Sequence, residues 1–303
     1  MKTSSRHHGV IVPMVTPATP AGDVDLIAAT RVADRLAHHG LGIFVLGTTG
    51  EAASVPASQR GPLVEAVVRA AAGRVRVYAG IGDTCVAHSI AAGRRYLELG
   101  ADGVVALVPG YYPLTPAEIE AYFRRVHDGV AGPLMLYNIP VATHHSVPLD
   151  VVETLSHLPH VIGYKDSEGT EGRWLEVVRR LGGRPNFALL MGIAAQATAA
   201  IRGGFHGVIP SAANLAPADW AEFWRLAQAE DWEAAAALQP KLDATATRLQ
   251  RGHTLGHYLA GLKYALSLQG VCGADLFPPL TGLNSAQRDA LRADFAVREA
   301  VSV

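Results

Sequence analysis

Only two cysteines, Cys85 and Cys272, occur in the 303 residues, far apart and outside any CxxC or Cys/His cluster. Neither a disulfide framework nor a cysteine-built metal centre is indicated. An excess of charge of either sign is also missing. With 26 Lys and Arg against 27 Asp and Glu, the formal net charge is -1, which offers a polyanion no long-range attraction and argues against nucleic acid as a partner. Membrane-length apolar runs are absent too. The opening "MKTSSRHHG" carries basic side chains, but the apolar "VIVPMVTP" after it is broken by prolines, so it suits neither a signal h-region nor a bilayer span. Two histidines within "SSRHHG" are too few to mark a tag. From these absences the expected location is the cytoplasm.

What is present is apolar material: 49% hydrophobic against 17% charged residues, enough for a sizeable core in one large domain with an appendage or in two domains. Short apolar runs alternate with Ala/Leu/Arg-rich stretches as far as residue 227. The runs are "GVIVPMV", "GIFVLG", "RVYAG", "GVVALV", "PLMLYN", "VIGYK", "FALLM" and "GVIP", eight in all. They lack a two-residue alternation, as expected of strands covered by helices on both sides. Between them the pattern is helical. In "DLIAATRVADRLAHH", for example, Leu26, Ala29, Val32, Ala33 and Leu36 share a face and Asp25 can cap. Further helices are expected near 57–72, 86–99, 116–128, 148–157, 171–181, 194–202 and 217–227. Strand then helix, eight times, predicts a closed (β/α)₈ barrel. An open doubly wound sheet could use the same elements, but no turn carries a GxGxxG fingerprint with a distal acidic partner. From residue 228 helix follows helix. The expected organisation is therefore an α/β TIM-barrel catalytic domain over 1–227 and a C-terminal helical domain over 228–303.

Strand ends of a barrel converge on one face, and here they carry "GTTGE", "PGYY", "YNIP" and "KDS". A lysine in an apolar pocket, Lys165, can attack a ketone or aldehyde and form an iminium that draws electrons from the adjacent carbon. Tyr137, one strand away, has a phenol able to carry protons between intermediates. Thr48 and Thr49, framed by Gly47 and Gly50, offer hydroxyls and backbone N–H groups to a carboxylate. Together they describe a pocket for a small 2-oxo acid. Each has a plainer reading: a solvent-facing lysine paired with Asp166, a packing tyrosine, an ordinary turn. Glu51, Asp83 and Asp166 do not make a convincing ligand set, so no metal and no cofactor are expected. A non-catalytic barrel protein is the remaining alternative from another class.

Along essentially its whole length the chain resembles the dihydrodipicolinate synthase and N-acetylneuraminate lyase family of class I aldolases. The motifs that carry the resemblance are "GVIVPMVTP", "GTTGEAAS", "ADGVVALVPGYY", "LYNIP", "VIGYKDS" and "GFHGVIPSAANLAP". The resemblance implies that Lys165 forms the Schiff base, that Tyr137 shuttles protons, and that Thr48 and Tyr112 complete a relay. It also implies that Thr48 and Thr49 hold the carboxylate of pyruvate, and that Gly192 and Ile209 line the iminium pocket. Tyr112 would reach into a neighbouring subunit's site, which implies a homodimer or homotetramer, while Tyr111 could be interface packing.

The other half of the substrate is read from the three residues after "YNIP". Dihydrodipicolinate synthases usually continue Ser-Arg-Thr, the arginine holding the carboxylate of the aldehyde; here stand Val141, Ala142 and Thr143. Losing a charge-assisted bond of that kind costs about 1.5–3 kcal/mol. The expected activity is accordingly a lyase acting on a 2-keto-3-deoxy sugar acid or a related 2-oxo acid with pyruvate as the keto half. Thr143 and His144, and His145 beside them, are placed toward a hydroxylated tail or serve as loop solvation. The alternatives are 4-hydroxy-tetrahydrodipicolinate synthase, joining pyruvate to aspartate semialdehyde, and a dehydratase using the same imine. His206 and Ser211 to Asn214 flank strand eight, with only Arg202 near enough to favour a phosphate.

Overall fold

The computed structural model describes residues 7–250 and 254–299; the readings made on "MKTSSR" lie outside the described residues. Eight parallel strands close into a barrel in sequence order. They are β1 (Gly9–Pro13), β2 (Gly42–Val45), β3 (Val77–Gly80), β4 (Gly103–Leu107), β5 (Leu134–Asn138), β6 (Val161–Asp166), β7 (Ala188–Met191) and β8 (Gly207–Val208). Around them run α1 (Leu26–His38), α2 (Ala57–Ala71), α3 (Val86–Glu98), α4 (Pro116–Val130), α5 (Pro140–Thr143), α6 (Leu149–Leu155), α7 (Arg173–Leu181), α8 (Ala197–Gly203) and α9 (Pro217–Gln228). The helices α10 (Trp232–Gln250), α11 (Leu255–Leu268) and α12 (Ser285–Glu299) complete the C-terminal part. The barrel with a helical extension read from the sequence is the fold observed.

Local chemistry sets the boundaries. Asp25 accepts from the Ala28 N–H and caps α1, and Thr115 with Glu118 closes a capping box at the start of α4. The helix expected over 194–202 begins instead as a 3₁₀ turn at Ala194–Gln196. The four-residue α5 was not read from the sequence; Pro140 starts it, its fixed φ suiting the first helical position. Among the described residues no helix is long and apolar enough to cross a membrane.

Two packed layers result. Ile11, Phe44, Val105, Met135, Leu190 and Ile209 fill the barrel interior, while the other strand faces meet the helices in a second, larger cluster. One departure from regular pairing affects the site. Leu134 pairs with Val161 but Met135 with Gly163, so Ile162 is an extra residue on β6. In the C-terminal part, α11 is buried from Tyr258 to Leu266 without interruption, as a helix enclosed on all sides requires.

Candidate active site

Tyr137 and Lys165 are register partners on β5 and β6. Lys165 is 4% exposed, and its Nζ lies 3.9 Å from the Tyr137 ring centroid and 5.1 Å from that of Phe44. Such aromatic faces hold an ammonium electrostatically without neutralising it. Among the described residues Lys165 forms no ion pair. The plainer reading, a solvent-facing lysine paired with Asp166, is not the geometry observed. Asp166 is directed to Arg173, whose Nε donates to Oδ2 at 2.8 Å, and to Asn138, whose Nδ2 donates to Oδ1 at 2.9 Å. Successive residues of a strand face opposite sides, so the amine enters the barrel while its neighbour's charge is satisfied outside it.

Across the interior, Thr48 Oγ1 stands 3.5 Å from the Tyr137 hydroxyl. The turn that presents it is entered at Leu46 and left at Glu51, both in the left-handed region with φ of 56° and 53°. Each such residue costs about 1–2 kcal/mol, so the surroundings must impose the shape. Thr49 is buried on the same turn. Thr16 Oγ1 donates to the Gly50 carbonyl at 2.7 Å, and the Gly50 N–H closes on the Gly47 carbonyl at 3.0 Å. A Cβ on Gly47 would stand 2.9 Å from the Phe44 ring, so glycine there is a packing requirement. The tightest approach is at Gly80, where a Cβ would fall 1.9 Å from the Leu46 carbonyl oxygen. Gly80→Ala is therefore expected to displace the turn and to cost about 3 kcal/mol or more, above the ordinary range for overpacking because backbone is the obstacle. Urea unfolding checks this; a midpoint within error of wild type would show that the turn moves freely.

Gly192 and Ile209 arrive from the two following strands. The Gly192 N–H donates to the Asp166 carbonyl at 2.7 Å, and a Cβ there would meet Ser167 Oγ at 1.9 Å, so only glycine passes the end of β6. Ile209 packs in the interior cluster with Phe44 and Tyr137.

The residues read as meeting the rest of the substrate fall differently. Thr143 is buried and its hydroxyl donates to the Ile139 and His145 carbonyls, both at 3.1 Å, as a loop-holding group. His144 is exposed beside it. His145 Nε2 lies 2.9 Å from the Tyr112 carbonyl and ties the two loops together. Tyr112 itself is 69% exposed, its ring edge-on to Tyr111 at 4.8 Å, and within this single chain its hydroxyl bonds to neither Thr48 nor Tyr137. His206 precedes β8 and thus stands at the opposite, N-terminal rim, where Nδ1 accepts from the Leu189 N–H at 3.0 Å. Burial lowers its pKa. It has no place at the strand ends near Lys165. Ser211 Oγ pairs with the Tyr258 hydroxyl at 2.5 Å, and Asn214 ties Val15 to Pro13.

Sequence reading missed a polar network behind this loop. Glu168 accepts from Ser146 Oγ at 2.6 Å and from Asn138 Nδ2 at 2.9 Å, while Arg173 Nε lies 3.2 Å away. Burial works against the charged form of Glu168, yet the bonds from Ser146, Asn138 and Thr170 and the Arg173 charge together hold its carboxyl below the usual range. The signal available was "DSEG" followed by Arg173, which carries no information about direction. Glu51, Asp83 and Asp166 hold separate partners: Lys263, Arg60 and Arg173 respectively.

A strand-end lysine enclosed by aromatic rings, a phenol beside it and a hydroxyl-bearing turn opposite define the equipment of an imine-forming enzyme. Residues 6–297 match the model of the dihydrodipicolinate synthetase family. The 4-hydroxy-tetrahydrodipicolinate synthase of Laribacter hongkongensis is 35% identical over 286 residues, 94% of this chain and 96% of that protein. Other proteins with that name, from several bacteria, are 31–34% identical. Among solved structures, dihydrodipicolinate synthase from Aquifex aeolicus superposes with a TM-score of 0.88 at 28% identity, covering 96% of this chain and 98% of that one. YagE, a prophage protein of the same family from E. coli K12 in complex with pyruvate, gives 0.87 at 26% identity, with 96% and 98% covered. The chain belongs to the dihydrodipicolinate synthetase family, and with that membership comes the Schiff-base-forming lyase chemistry of class I aldolases. The relatives' names favour the synthase alternative over a sugar-acid lyase.

Proposed function

We propose that Lys165 is the Schiff-base nucleophile and that pyruvate is the keto acid it binds. The observation that carries this is the buried Lys165 amine, without an ion pair among the described residues, against the Tyr137 ring. The neutral amine adds to the keto carbon of pyruvate, and the carbinolamine loses water to give the iminium. Loss of a methyl proton then gives an enamine that attacks the aldehyde. Water returns to hydrolyse the adduct and free the lysine. Tyr137 carries the protons, with Thr48 beside its hydroxyl and Tyr112 from a neighbouring subunit as further relay members. Thr48 and Thr49 receive the carboxylate, within a pocket bounded by Gly47, Gly192 and Ile209.

Two acceptors are supported by two observations. The relatives' names support condensation with aspartate semialdehyde. Ala142, exposed on α5, supplies no cation for that substrate's carboxylate, and Arg173 is committed to Asp166 and Glu168; this favours an acceptor with a neutral, hydroxylated tail. One assay ranks them, comparing kcat/KM for aspartate semialdehyde with that for neutral hydroxy aldehydes at saturating pyruvate. The expected result is measurable condensation with aspartate semialdehyde that Ala142→Arg improves about tenfold, the low end for a charge-assisted bond at an exposed position. Neutral aldehydes outrunning it in the wild-type chain would make the second reading the right one.

A further inference from the structure

The turn bearing Thr48 and Thr49 ends at Glu51, whose left-handed backbone glycine would adopt without steric cost. What glycine lacks is the carboxylate. That carboxylate is buried: Oε2 accepts the Phe277 N–H at 2.8 Å, and Oε1 lies 2.5 Å from Lys263 Nζ. Lys263 is 1% exposed in the fully buried stretch of α11, and its Nζ also donates to the Asp275 carbonyl at 2.7 Å. Burial lowers the pKa of this amine, with Glu51 opposing the shift. Neither charge belongs to the chemistry assigned to Lys165. Both lie between the substrate turn and the C-terminal helices.

The backbone of Glu51 transmits the anchorage. Its N–H donates to the Thr48 carbonyl at 3.1 Å, and its own carbonyl accepts from Ser54 at 2.8 Å and Val55 at 3.2 Å. Rotation of Glu51 would therefore move Thr48. We propose that Glu51 and Lys263 are positioning residues, holding the Thr48–Thr49 hydroxyls in register with the keto-acid carboxylate, so that the C-terminal helices are part of the pyruvate site. This rests on the reading of Thr48 and Thr49 as carboxylate receivers.

A merely stabilising ion pair makes a different prediction. Removing one partner of a buried pair strands the other charge, whereas replacing both by neutral groups of similar shape commonly restores stability. The test measures melting temperature and the pyruvate concentration that half-saturates borohydride trapping, below each variant's melting range, for Glu51→Gln, Lys263→Met and the double variant. The trapping assay needs no aldehyde. Positioning predicts that half-saturating pyruvate rises about tenfold in all three, while the melting temperature falls in both single variants and recovers in the double variant. A double variant with wild-type half-saturation overturns the proposal, because the pair then serves only the fold. Thr48→Ala and Thr49→Val are the controls. If both keep wild-type half-saturation, the carboxylate is held elsewhere and the proposal falls with the reading beneath it; a wild-type chain that yields no adduct sinks both as well.

Discussion

Lys165→Arg is expected to be as inactive as Lys165→Ala, with kcat down roughly 10⁴-fold or more and no pyruvate adduct on reduction. The comparison matters because a cation alone could be what the barrel needs. Arginine keeps the charge and gains donors, but it stays protonated at any working pH and has no free amine to attack a carbonyl. The surroundings make a purely electrostatic role a poor fit. Nζ faces the rings of Tyr137 and Phe44, and the adjacent carboxylate, Asp166, is committed to Arg173. Since no ion pair among the described residues is broken, Lys165→Ala should remain folded, which circular dichroism can check. Wild-type turnover in Lys165→Arg would refute the Schiff-base role and leave the lysine as a structural cation.

Tyr137→Phe should separate attachment from speed. The ring stays, with its edge-on contact to Phe44 at 6.2 Å and its face toward Lys165, and only the hydroxyl is lost. Turnover is expected to fall by roughly 10²–10⁴, the usual worth of a positioned acid–base group. Slow borohydride trapping at Lys165 should persist, because reduction captures whatever imine forms unaided. Single-turnover kinetics beside steady-state rates would show which step slowed. Unaltered turnover would move the proton carrier to another group.

The barrel was legible because eight apolar runs alternate with amphipathic stretches, and burial on both faces leaves that signature in composition. Tyr137, Thr48 and Lys165 could be assembled because a closed parallel sheet brings strand ends together whatever their separation in sequence. Direction was not legible. The sequence places Asp166 next to Lys165, and proximity along the chain suggested a pair that the pleat of β6 separates. Residues 143–145 read either toward a substrate tail or as loop groups, and the Thr143 hydroxyl bonds two backbone carbonyls, a competition that short hydroxyl side chains commonly enter. The Glu51–Lys263 pair was invisible for another reason: Lys263 lies within the apolar "YLAGLKYAL", where nothing local names a partner so distant in the chain.

The bulge that absorbs the extra residue on β6 decides which side chain of that strand faces the barrel interior. Ile162 packs against the barrel interior and Tyr164, two positions on, against the helical layer, so the strand changes parity between them. With unbroken alternation from Ile162, the Tyr164 phenol would point inward and the Lys165 amine would be thrust among the helices beside Arg173. The change of phase occurs at Gly163, where a Cβ would come within 2.6 Å of the Ala188 carbonyl oxygen, so glycine is the residue that lets two neighbouring strands pass at that point. The reactive end of the molecule thus depends on a change of side-chain facing two residues upstream: the strand carries one residue more than its neighbour needs, and losing Ile162 itself would leave Val161 opposite Leu134, Gly163 opposite Met135 and the lysine still inside the barrel.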